Sequence, residues 1–66
     1  MQIQLNGEPY ELPDETTLAG LLAARGVNPL YTAVEVNREL ISRAKHVTLV
    51  LKADDQVEVV TLVGGG

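Results

Sequence analysis

The dipeptide Asn6-Gly7 constrains this chain more than any other feature. A two-residue type I′ hairpin turn needs φ > 0 at both central positions, and Asn-Gly adopts it readily. On one side of the pair Ile3 and Leu5 alternate with Gln2 and Gln4; on the other Tyr10 and Leu12 flank Glu11. Such period-2 alternation marks a half-buried strand. Pro9 cannot donate a ladder hydrogen bond, so the returning strand either begins there or lies at a sheet edge. The chain therefore opens with a hairpin that has one apolar face to cover.

The covering element follows. Pro13-Asp14-Glu15 breaks the strand, Thr16 or Thr17 can cap a helix, and the two acids would complement its positive end. Leu18, Leu21 and Leu22 recur at helical spacing along one face. Gly20 within that helix costs about 1 kcal/mol relative to alanine, and nothing local explains it. Gly26 is placed as the residue after the helix end, and Pro29 prevents the helix from resuming. Thr32 to Val36 reads as a strand with Val34 and Val36 on one face and Ala33 and Glu35 on the other. Asn37-Arg38-Glu39 turns the chain, Leu40-Ile41 is a short apolar segment, and Ser42 to His46 is polar and irregular. Val47 to Leu51 is rich in strand formers. Asp54-Asp55 makes a further turn. A last strand starts near Gln56, with Val57 and Val59 facing one way and Glu58 and Val60 the other. Strand, strand, helix, then two or three strands predict a two-layer α+β domain.

With 66 residues there is room for one small domain, near the lower limit for an unaided core. The hydrophobic fraction of 45% argues against disorder. The absence of cysteine excludes disulfides, cysteine-ligated metals and thiol nucleophiles. A net charge of −4 disfavours nucleic acid, whose binding rests on neutralising phosphates, and suits a basic face on a partner protein. No apolar run approaches the roughly 20 residues needed to span a bilayer, and the N-terminus alternates rather than showing a signal pattern. The expectation is a soluble, cytoplasmic protein that binds neither membrane nor nucleic acid.

Residues 1–61 form the expected domain and 62–66 a flexible tail, Leu62-Val63-Gly64-Gly65-Gly66. Its three glycines carry no side chain, so chemistry there is backbone chemistry, and they let the main chain lie close against a partner. Five extended residues reach at most about 17 Å, enough to enter a narrow channel. A terminal carboxylate is ionised at neutral pH and is an oxygen nucleophile, but its charge makes it a poor acceptor until activated, for example as an acyl-adenylate. Taken alone, a glycine terminus reads as a frayed end or an appended scar.

Several segments in order change that reading: the strand into Asn6-Gly7-Glu8, the helix Leu18-Ala19-Gly20-Leu21-Leu22, and Ala33-Val34-Glu35-Val36-Asn37 with Leu40-Ile41. The acidic turn before Val57-Glu58-Val59-Val60 and the tail Val63-Gly64-Gly65-Gly66 complete the set. Together they resemble the ubiquitin-like β-grasp sulfur carriers, most closely the thiamine-biosynthesis sulfur carrier family (ThiS), over essentially the whole chain. Ser42-Arg43 and Ala53-Asp54-Asp55 depart from the family's usual turns. The resemblance implies a mixed four- to five-stranded sheet packed on one helix. It also implies a protein cosubstrate rather than an enzyme, with no bound cofactor. Gly66 would be adenylated by an E1-like enzyme using ATP, then converted to a thiocarboxylate with sulfur ultimately from a cysteine desulfurase or sulfurtransferase. Thiazole synthase would consume that sulfur. Val63, Gly64 and Gly65 would be the clasped tail. A carrier for molybdopterin or tRNA thiolation, a protein modifier forming isopeptide bonds, and a plain interaction module are the competing expectations.

The remaining polar residues point to no chemistry of their own. His46 has no second imidazole or thiol to share a metal and is expected at the polar surface, with no metal site. Asp54 and Asp55 are expected in a solvated turn rather than as an acid–base pair. Arg38, Arg43, Lys45 and Lys52 read as a solubilising rim. If Val57 and Val59 face the helix, Val60 and Leu62 lie on the open face near Ala33 and form an expected docking surface for the activating enzyme.

Overall fold

The computed structural model describes residues 1–62, so the expected tail positions Val63, Gly64, Gly65 and Gly66 lie outside the described residues. Strands β1 (Gln2–Leu5) and β2 (Glu8–Glu11) form the opening hairpin, with Ile3 opposite Tyr10 and Gln4 opposite Pro9. Asn6 and Gly7 both have positive φ, 51° and 82°, as the turn requires. Helix α1 (Leu18–Ala24) follows. Strands β3 (Thr32–Val36), β4 (Glu39–Leu40) and β5 (Gln56–Thr61) complete a five-stranded sheet in the order β2-β1-β5-β3-β4. Central β5 runs parallel to β1 and antiparallel to β3. Pro9 falls on an edge strand, where its missing N–H disturbs no ladder.

One face of the sheet is covered. Ile3 and Leu5 of β1, Val34 and Val36 of β3 and Val57 of β5 are buried in one cluster with Leu18, Leu21 and Leu22 of α1, joined by Leu12 and Leu51. Each of these side chains contributes about 1.5–3 kcal/mol when fully buried. The three leucines of the helix face all lie within this cluster, as their spacing predicts. At the end of β2, the Arg25 guanidinium sits 5.5 Å from the centroid of the Tyr10 ring, tying the helix end to the hairpin.

Both ends of α1 are closed by specific hydrogen bonds. Thr17 is the N-cap, its Oγ1 accepting from the Gly20 N–H at 3.1 Å. The Leu18 and Ala19 N–H groups, orphan donors of the first turn, donate to the carbonyls of Leu49 and His46. That is why Val47 to Leu51, composed like a strand, does not form one. Its Leu49 carbonyl serves the helix start, its Leu51 N–H donates to the Thr16 carbonyl, and its one bridge among the described residues is Val50 with Thr17. The expected use of Asp14 and Glu15 at the helix start also fails. No acid lies in the first turn, and the Asp14 carboxylate instead lies 3.4 Å from the Met1 ammonium. At the far end the Gly26 and Val27 N–H groups donate back to the carbonyls of Ala23 and Leu22, with Gly26 at φ 68°, a Schellman closure. Asn28 then caps a 3₁₀ turn, Pro29–Tyr31, that leads straight into β3.

The β3–β4 turn takes positive φ at Asn37 (51°) and Arg38 (70°) without a glycine. Its compensation is a side-chain network. Asn37 Nδ2 donates to Asp55 Oδ1 at 3.0 Å, Asn37 Oδ1 accepts from the Gln56 N–H at 2.9 Å, and Asp55 Oδ2 accepts from the Lys52 N–H at 2.8 Å. Asp55 is therefore buried, only 9% exposed, which corrects the solvated turn expected for it; Asp54 alone, at φ 69°, is exposed. Asp55→Ala removes a charged acceptor from two donors and should lower stability by about 2–3 kcal/mol in urea unfolding. Gly7→Ala, at a positive φ with open space around the added methyl, should cost about 1 kcal/mol from backbone strain alone.

Candidate functional site

Strand β5 carries the chain toward the glycine tail from the middle of the sheet. Its inward side presents Val57, fully buried, and Val59, packed against the core. Its outward side presents Glu58 and Val60, both exposed, as the alternation predicts. The register places Val60 opposite Ala33, and the Leu62 N–H donates to the Tyr31 carbonyl at 2.7 Å, so the backbone is still paired one residue beyond β5. Val60 is 57% exposed and Leu62 50%. The structure thus brings together the three residues expected to form an apolar docking surface, Ala33, Val60 and Leu62, at the point where the tail begins.

Further exposed apolar residues flank that patch and escaped the sequence reading. Leu30 and Tyr31 precede β3, and Leu40 pairs with Glu35 and so shares the outward face. The signal for the first two was an Asn28-Pro29 stop followed by large apolar residues outside any periodic run. Two-residue β4 has too little alternation to assign a face.

Two other features were misread or unforeseen. His46, expected at the polar surface, is only 5% exposed, and its Nε2 is buried without a hydrogen-bond partner among the described residues. Its carbonyl accepts from the Ala19 N–H, which draws the 3₁₀ turn Arg43–Lys45 and the residue after it against α1. The ring lines an apolar cleft of about 270 Å³ with Ala19, Leu22, Val27, Pro29 and Arg43, none of them in β5. The four rim cations Arg38, Arg43, Lys45 and Lys52 are exposed. Among the described residues no group of three His, Cys, Asp or Glu side chains could hold a metal, and no helix is long and apolar enough to cross a membrane.

A mixed sheet with a parallel central pair clasping one helix defines a ubiquitin-like β-grasp protein. The crystal structure of the thiamine biosynthesis protein ThiS from Geobacter metallireducens superimposes with a TM-score of 0.86 and 30% identity, covering 100% of both chains. The solution structure of a thiamine biosynthesis protein from the same organism gives 0.82, also at 30% identity, covering 100% of this chain and 88% of that one. The chain belongs to the ThiS family, whose sequence pattern matches residues 3–66. A thiazole synthase from Magnetococcus marinus is 48% identical over 66 residues, which are 100% of this chain and 20% of that protein. The chain thus spans about a fifth of that relative; the same share holds for the thiazole synthase of Paramagnetospirillum magneticum, at 30% identity. The uncharacterized protein ycf40 of Porphyra purpurea is 33% identical and is matched over 93% of its length.

Because His46 Nε2 has no partner among the described residues, His46→Leu should leave stability unchanged or raise it by up to about 1 kcal/mol in chemical denaturation. A clear loss would show that the imidazole has a polar role.

Proposed function

We propose that this chain is a sulfur carrier for thiazole formation, with the Gly66 carboxylate as the group that is modified. The observation that carries the reading is the family match, which runs through the last strand and the whole glycine run to residue 66. ThiS-family membership and the thiamine-biosynthesis structures support a carrier role in general. The thiazole synthases that contain a segment like this chain support thiazole synthase as the partner receiving the sulfur, ahead of molybdopterin or tRNA thiolation.

In this reading an E1-like enzyme holds ATP and the tail together. The Gly66 carboxylate oxygen attacks the α-phosphorus, pyrophosphate leaves, and an acyl-adenylate forms. The terminal sulfur of a persulfide, drawn ultimately from a cysteine desulfurase or sulfurtransferase, then attacks the acyl carbon and AMP departs. Cleavage of the S–S bond by a second thiol frees the thiocarboxylate. ATP is consumed by the partner, and no cofactor stays on the carrier. The carrier contributes reach and fit rather than catalysis. Gly65 permits close approach, Gly64 and Val63 are clasped, and Ala33, Val60 and Leu62 dock the body of the domain so that the tail enters one channel.

Intact-mass analysis with ATP, the adenylating enzyme and a sulfur donor should show addition of AMP and then exchange of one oxygen for sulfur. Lysine conjugates in place of the thiocarboxylate would make the chain a protein modifier. Deletion of Gly66, or Gly66→Ala, should abolish the sulfur product with an unchanged melting temperature; full activity in either variant sinks the assignment. Val60→Asp should raise the KM for the carrier in adenylation by about tenfold or more without unfolding the domain, since it puts a charge into an apolar contact.

A further inference from the structure

One cleft combines uncharged walls with a single cation. It opens beside α1 with a volume of about 270 Å³, and Ala19, Leu22, Val27, Pro29, His46 and Arg43 line it. No acidic residue does. Arg43 is exposed, and among the described residues no carboxylate lies within 4.0 Å of it. Arginine pairs with a carboxylate through two parallel N–H donors, so an unpaired guanidinium at an apolar cleft suits an acid with an apolar neighbour. In a chain of net charge −4 this cleft is the exception to the prevailing sign.

The chain brings such an acid close. β5 and β3 stay in register to their ends, Thr61 opposite Thr32, and the Leu62 N–H donates to the Tyr31 carbonyl at 2.7 Å. The same antiparallel course, continued, would bring residue 63 level with Leu30 and residue 64 level with Pro29, which lines the cleft. Side chains alternate along a strand, and Val57 and Val59 pack on the helix side, so Val63 is due on that side as well. Four residues, 63–66, span at most about 14 Å when extended, and their three glycines allow a turn in either direction. The segment starts beside a wall of the cleft and carries one apolar side chain and a carboxylate, the two groups the cleft would take.

We propose that the cleft beside α1 seats this chain's own C-terminal segment, with Val63 against Val27 and Pro29 and the Gly66 carboxylate on the Arg43 guanidinium. Gly66 serves here as the chain's terminal carboxylate, as it does in the carrier reading on which this seat rests. A tether this short gives an effective concentration of about millimolar order, so a contact too weak to hold a free peptide still holds the tail. Seated, the carboxylate is withheld from an activating enzyme. The enzyme then meets only the unseated fraction, and its apparent affinity falls by that fraction. A partner that clasps residues 63–65 must first empty the cleft, so the nucleophile is released only where it is used.

Nuclear magnetic resonance of the full chain, with no enzyme present, tests the seat by comparing wild type, R43Q, V63N and a ligated chain that ends in a carboxamide. In wild type the Gly65 and Gly66 amides should have order parameters above about 0.6, and in each altered chain they should fall below about 0.6. The amide signals of Val27 and Val47, which line the cleft, should shift in all three, while those of Ile3 and Leu51 in the core stay. That contrast separates an emptied cleft from a disturbed fold. The carboxamide chain is decisive, since it alters no residue of the cleft. Order parameters below about 0.6 in wild type overturn the seat, as do cleft signals that the carboxamide leaves unmoved. Shifts that grow with protein concentration also overturn it, because they place the tail on a second copy. Mass analysis for adenylation is independent of these readouts. A seated tail that is never adenylated keeps the seat and removes the carrier reading; adenylation of a wild type whose tail is unseated does the reverse.

Discussion

Everything in this domain depends on how β5 is held in the middle of the sheet. It is the last strand among the described residues, yet it sits between the first strand and the third, so its pairing closes contacts more than fifty positions apart, as in the bond from the Val59 N–H to Asn6 Oδ1. β1 ends at Leu5, and the Asn6 side chain supplies an acceptor just beyond it. At the other end Asn37 Oδ1 takes the Gln56 N–H. Two turn asparagines, each in the left-handed region, thus serve the same strand from opposite neighbours. Asparagine tolerates that conformation and offers a carbonyl at the right reach, which explains one residue type in two unrelated turns.

Helix α1 has only seven residues, too few to persist on propensity. Its stability comes from three buried leucines and from closure at both ends, where most acceptors for the first turn come from a segment some thirty residues later. This couples the loop 46–51 to the helix, so a stretch with strand composition gives its Leu49 carbonyl to another element. Burial of His46 follows from the same docking. Gly20 has no structural explanation: a methyl there would meet Thr16 and the capping Thr17 only at ordinary contact distance, 3.4 Å.

The two faces of the sheet divide the work. The inner face is apolar at its centre, where Ile3, Leu5, Val34, Val36 and Val57 pack on the helix, and that centre carries the stability. The outer face mixes exposed apolar residues, Val60 and Leu62, with Glu35 and Glu58 opposite one another. Since β5 alternates strictly between these faces, the strand that anchors the core is also the strand that presents the tail.

Much of this was legible in the chain. Asn6-Gly7 with its flanking alternation specified the hairpin, the Leu18, Leu21 and Leu22 spacing specified the helix face, and the alternation of 57 to 60 specified which side of the last strand faces out. These are local consequences of periods of 2 and 3.6 and of one glycine-dependent turn. The family resemblance extended the reading to the glycine tail. What only the tertiary structure decided were the partners of groups that have no local partner. Val47 to Leu51 had strand composition but its Leu49 carbonyl went to α1 and its Leu51 N–H to Thr16; Asp55 and His46 looked like surface residues but were buried by contacts with Asn37 and with the helix; Glu35 and Glu58 became a pair only when the register was set. Composition and periodicity state what a segment can hide, whereas the destination of each hydrogen bond and each charge depends on which distant element arrives beside it.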